Sequence, residues 1–93
     1  MPKPTDYDIL LNETGPDPVT LAVAPGDKIT WTNNLGVAVE LTLPDCVSPP
    51  DGTITIDAGV TSRKFNVNGS SESYAYSYLY SIGTEQTGTI DVS

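Results

Sequence analysis

Apolar and polar residues alternate along most of the chain, and turn-forming residues break the alternation at short, regular intervals. A period of two with frequent turns predicts strands rather than helices. The first predicted strand covers residues 7–11 (YDILL) and is closed by the turn-rich residues 12–18. Residues 19–23 (VTLAV) alternate cleanly and run into Pro25-Gly26-Asp27, a tight-turn sequence. Further strands are predicted at 28–32 (KITWT) and, past the turn Asn33-Asn34-Leu35-Gly36, at 37–43 (VAVELTL). The proline-rich residues 44–52 (PDCVSPPDG) read as an irregular loop. The remaining strands are expected at 53–56 (TITI), 61–67 (TSRKFNV), 73–80 (SYAYSYLY) and 88–92 (GTIDV). Some seven or eight short strands of this kind predict an all-β fold, a two-sheet β-sandwich with Greek-key links.

Length and composition narrow the chemistry. Ninety-three residues make a single domain, 1–93, around one core. Cys46 is the only cysteine, so neither an intrachain disulfide nor a cysteine-based zinc cluster can form. The sequence has no histidine. That removes the commonest ligand for copper, zinc and non-haem iron, the commonest general base, and every nucleophile that depends on an imidazole. A domain this small rarely encloses a substrate pocket, so the chain reads as a non-enzyme without a cofactor. Twelve acidic residues against four basic ones give a net charge of −8, which argues against nucleic acid and anionic membrane as partners. No segment approaches the roughly 20 apolar residues of a membrane helix. Residues 1–8 carry Lys3 but no apolar run, unlike a signal peptide. A cytoplasmic location, or an extracytoplasmic one after loss of a leader, fits equally.

Several segments in order resemble the cupredoxin family, the plastocyanin- and azurin-like proteins. Val23-Ala24-Pro25-Gly26-Asp27-Lys28-Ile29-Thr30-Trp31-Thr32-Asn33-Asn34 resembles the family's Pro-Gly-Asp turn leading a strand that ends in Asn. Ile56-Asp57-Ala58-Gly59-Val60-Thr61 with Phe65 resembles its turn-Gly-x-Thr segment, and Tyr74-Ala75-Tyr76 with Gly88-Thr89-Ile90-Asp91-Val92 resembles the strands flanking its metal loop. The resemblance implies four copper-ligand positions. The first histidine position falls at Val39. The loop patterned Cys-x-x-His-x-x-x-x-Met puts the cysteine position at Tyr78, the histidine position at Ser81 and the methionine position at Gln86. Gln86 alone could serve, as an axial ligand with nothing to be axial to. The chain thus resembles a cupredoxin that has lost its copper site, and the four positions outline a vacated pocket.

Tyr74, Tyr76, Tyr78 and Tyr80 share period-2 spacing and point to one face. Tyr74 and Tyr76 are expected in the core, Tyr78 in the vacated pocket with its hydroxyl on Ser81, Gln86 or a loop carbonyl, and Tyr80 exposed as an aromatic contact. Trp31 reads as core. Asp17, Asp45, Asp51 and Asp57 read as turn residues rather than calcium ligands. Cys46, beside Asp45, reads as inert, and Arg63 and Lys64 as an exposed pair. The function expected is a copper-free, non-catalytic binding or structural module whose partner is a protein, another copy of itself included. The alternatives are a carbohydrate-binding or adhesin-like sandwich and an accessory domain of a larger secreted protein.

Overall fold

A computed structural model describes residues 5–48, 52–80 and 84–93. Ten strands follow one another: β1 (Asp6–Asn12), β2 (Gly15–Asp17), β3 (Thr20–Val23), β4 (Lys28–Asn33), β5 (Val39–Thr42), β6 (Val47–Ser48), β7 (Thr53–Ile56), β8 (Phe65–Val67), β9 (Ser73–Tyr80) and β10 (Thr84–Val92). They form two five-stranded sheets, in the orders β2-β1-β4-β8-β6 and β3-β10-β9-β5-β7. β1 runs parallel to β4 and β3 parallel to β10, while the other pairings are antiparallel. The all-β, two-sheet expectation holds; the strand number exceeds the expected seven or eight.

Each correction has a local cause. β2 lies inside the expected turn: Gly15-Pro16-Asp17 has no alternation to betray a strand, yet it pairs with β1, Pro16 opposite Leu11. Proline is tolerated there because β2 is a sheet edge. β6 is two residues of the expected loop, paired with β8 through Val47 and Val67. The expected strand 37–43 shortens to β5, leaving Val37 exposed. Of 61–67 only β8 is regular; Thr61 touches β4 through a lone bridge to Thr32 where the chain crosses between sheets. β10 begins four residues early, at polar Thr84, because it zips against the whole of β9.

The two inner faces share one core. Ile9, Leu11, Ile29, Trp31, Phe65 and Val67 come from the first sheet and Val39, Leu41, Tyr76, Tyr78, Ile90 and Val92 from the second. Alternation places them: β4 reads half-buried then buried at each step, so Ile29, Trp31 and Asn33 all point inward. Burying each large side chain contributes about 1.5–3 kcal/mol. Trp31 is edge-on to both Phe65 and Tyr76, with centroids 5.6 Å away in each case. Gly88, opposite Tyr76 in the β9–β10 ladder, is required: a Cβ there would collide with the Tyr76 ring and with Pro16 Cγ.

Asp27, expected only as a turn former, is buried and fastens the sandwich at the β3–β4 turn. Its carboxylate accepts from Thr5 N at 3.0 Å and Ala24 N at 2.9 Å, holding the start of β1 to the β3–β4 turn.

Candidate functional site

The residues assigned to the vacated pocket fall on β5, β9 and β10 of one sheet. Tyr78 and Gln86 are direct cross-strand partners, and Tyr78 faces Leu41 on its other side. Val39, fully buried, lies two residues along β5 from Leu41 and on the same inner face. The structure therefore gathers Val39, Tyr78 and Gln86 at one end of the sandwich. Ser81 lies outside the described residues.

What closes this end is the β1–β2 turn. The Tyr78 ring is fully buried, and its hydroxyl donates to Asn12 O at 2.6 Å. The Tyr80 hydroxyl donates to Glu13 O. Gln86 Nε2 donates to the same Glu13 carbonyl at 2.9 Å. Asn34 adds two anchors, its amide N to Leu11 O at 3.1 Å and Nδ2 to Asn12 Oδ1 at 2.7 Å. The carbonyls left by the reversal of the chain at residues 13–14 are thus met by side-chain donors from the opposite sheet.

Tyr80 corrects an expectation. It is half-buried rather than exposed, because its hydroxyl reaches back to the turn and its ring stacks on Tyr78 at 6.0 Å and 27°. Tyr74 is likewise half-buried against the core, its hydroxyl accepting from Ser70 N at 2.9 Å, while Tyr76 is buried. None of the five tyrosines is exposed.

The site's second support is Asn33, fully buried at the end of β4. Its Nδ2 donates to Val37 O at 2.7 Å and Ile56 O at 3.0 Å, and its Oδ1 accepts from Leu35 N at 2.9 Å. One side chain thereby holds the loop 34–38 and the end of β7. In the sequence Asn33 reads only as a turn asparagine. The available signal was its inward place in the alternation of β4, two positions after Trp31.

Burial sets the electrostatics of this end. Loss of water, and then the neighbouring Tyr80, push the Tyr78 phenol up to about 12. Desolvation pushes Tyr76 higher still, although the nearby Trp31 side chain acts in the opposite direction. The Trp31 N–H and Tyr76 hydroxyl have no partner within hydrogen-bond geometry among the described residues. Burial, opposed by a backbone hydrogen bond and reinforced by Asp45, pushes the Cys46 thiol up to about 11. A thiol held neutral in this way is a poor nucleophile at neutral pH.

Among the described residues, no three of His, Cys, Asp and Glu come together as a group that could hold a metal ion. Val39 has no ligating atom, the Tyr78 hydroxyl stays protonated and donates to Asn12 O, and Gln86 Nε2 donates to Glu13 O, which leaves the Gln86 amide oxygen as one weak ligating atom. The residues present do not fit a copper ion of the blue type, which needs a thiolate and imidazoles.

No family model matches the sequence. No curated protein matches it either. Solved structures do match. A Cu(I) form of an amicyanin variant is 12% identical, with a TM-score of 0.67 over 95% of this chain and 82% of its own. A purple cupredoxin from Nitrosopumilus maritimus is 18% identical, with a TM-score of 0.64 over 95% of this chain and 100% of its own. The copper-containing nitrite reductase from Thermus scotoductus is 17% identical, with a TM-score of 0.67, and all of this chain matches 23% of that one. The chain has a cupredoxin-like fold.

Proposed function

We propose that this chain is a copper-free module with a cupredoxin-like fold that works by non-catalytic contact with a protein partner. One observation carries the reading. The end of the sandwich where the resemblance puts a metal is filled by Tyr78 and sealed by Tyr78, Tyr80 and Gln86 bonded to the Asn12 and Glu13 carbonyls. A filled, hydrogen-bonded end supports a role through surface contact rather than through chemistry at that place. The fold itself is neutral on this point, since one framework hosts many functions. The carbohydrate reading has less support, since Tyr78 is buried and Tyr80 only partly accessible.

The test is titration with Cu(II), followed by visible absorbance and by thermal melting. The expected result is no intense charge-transfer band and no stoichiometric rise in Tm. A strong visible band at one copper per chain would overturn the reading. The accessory-domain reading draws on the nitrite reductase, a longer chain of which this one matches a part. Sequencing the full native reading frame decides it: a fused enzyme domain supports it, and a frame ending close to Met1 and Ser93 excludes it.

A further inference from the structure

Among the described residues, β7 is the outermost strand of its sheet and is hydrogen-bonded to β5 on one side only. Leu43 N donates to Gly52 O at 2.7 Å just beyond the β5–β7 ladder. The antiparallel alternation then turns the backbone groups of Ile54 and Ile56 toward β5 and those of Thr53 and Thr55 away from it. The Thr42 and Thr53 hydroxyls are 3.4 Å apart, as befits a pair without mutual backbone bonds, where side chains come closer. Two N–H and two C=O groups therefore face outward in the pattern that a further strand requires. Nothing in Thr-Ile-Thr-Ile guards this edge, which lacks the lysine, proline or bulge that commonly does so.

Beside the edge runs a groove of about 350 Å³, floored by Ile54, Ile56 and Val60 and bordered by Thr61, Ser62 and Arg63. Val60 is 47% exposed. The outer face has a different character. Glu40 stands opposite Thr55 in the ladder, exposed Asp57 follows β7, and the five strands of this sheet contain no lysine or arginine.

We propose that the β7 edge and its groove bind an extended peptide segment of another protein whose side chains alternate apolar and basic. The inference rests on the reading as an interaction module and names the surface and the partner's chemistry. Added as a sixth strand, the segment completes the open bonds of Thr53 and Thr55. Its apolar side chains cover Ile54 and Val60. Its lysines or arginines lie on the outer face and reach over the short Thr55 side chain toward Glu40, roughly 10 Å or two interstrand spacings away. A second copy does not supply this strand. The chain has no segment alternating apolar and basic residues, and a net charge of −8 on each copy opposes pairing.

The test is calorimetric titration of the purified protein at low salt with three capped octapeptides: alternating Val and Lys, alternating Val and Glu, and Val-Lys with a central proline. The Val-Lys peptide is expected to bind one per chain, at least about tenfold tighter than either of the others, with the Thr53 and Thr55 amide resonances shifting most. Thr55→Pro removes an outward N–H and leaves the β5 ladder untouched, as edge strands permit, and is expected to abolish binding. Equal affinity for the Val-Glu peptide, binding that survives Thr55→Pro, or shifts confined to other residues would overturn the proposal. Should Thr55→Pro fail to fold, Glu40→Lys must weaken Val-Lys binding at least about tenfold, and unchanged affinity overturns the proposal. Sedimentation showing a dimer that Thr55→Pro dissolves would assign the edge to a second copy, overturning the peptide while leaving the module reading intact. Copper uptake would sink that broader reading on its own, whatever the peptides do.

Discussion

The sealed end around Tyr78 and the open edge along β7 belong to the same sheet and are built in opposite ways. At the sealed end, side-chain donors cross from one sheet to meet the carbonyls of a turn in the other, so the Asn12 and Glu13 carbonyls are matched from within the molecule. At the edge, Thr53 and Thr55 present backbone groups outward, with an apolar groove beside them. A buried polar group without a partner costs about 1–3 kcal/mol, whereas one facing water costs little until a partner arrives. The difference teaches where each region's consequences lie: changes at the sealed end are felt as stability, and changes at the edge as recognition.

The contrast predicts a graded series in urea unfolding. Tyr78→Ala opens a cavity and frees the Asn12 carbonyl, and should cost about 3–5 kcal/mol. Asn33→Ala leaves the Val37 and Ile56 carbonyls and the Leu35 amide without their partner, and should cost about 2–4 kcal/mol. Tyr78→Phe keeps the ring and loses only the hydroxyl's bond, for about 1 kcal/mol. Thr53→Ser and Thr55→Ser on the open edge should change stability by no more than about 0.5 kcal/mol. A Tyr78→Ala midpoint no lower than that of Thr55→Ser would erase the distinction between the regions.

How much of this was legible in the sequence depended on whether the signal was periodic. β4, β7 and β9 alternate cleanly, so their existence and their inner faces could be read directly, Tyr76 and Tyr78 included. β2 and β6 could not. Gly15-Pro16-Asp17 and Val47-Ser48 are strands only because β1 and β8 offer them ladders, a tertiary cause that no local pattern carries. Counting along the resemblance put Tyr78 and Gln86 at one site, but their ladder pairing was not legible, because the polar residues 84–87 read as loop before the last strand. The acceptors that hold Tyr78 and Tyr80 are backbone carbonyls of Asn12 and Glu13, more than sixty residues away, and a carbonyl has no signature in sequence. For the same reason Tyr80, read as the exposed end of its row, is drawn inward. The open edge was hidden too, since Thr-Ile-Thr-Ile reads alike at the centre and at the border of a sheet.

The sealed end also fixes how the molecule answers to alkali. Tyr78 ionises near 10 when unfolded and is pushed up to about 12 when folded, with Tyr76 displaced in the same direction. Between those values the unfolded chain has released protons that the folded one still holds, so stability falls as pH rises through that window and is unaffected below it. The most direct measurement is a spectrophotometric titration of phenolate absorbance, with circular dichroism recorded on the same samples. The account predicts that Tyr76 and Tyr78 stay protonated well above pH 10, Tyr78 ionising only near pH 12, and that the β-sheet signal falls over the same window. Five tyrosines ionising together near pH 10, with the fold intact, would contradict it.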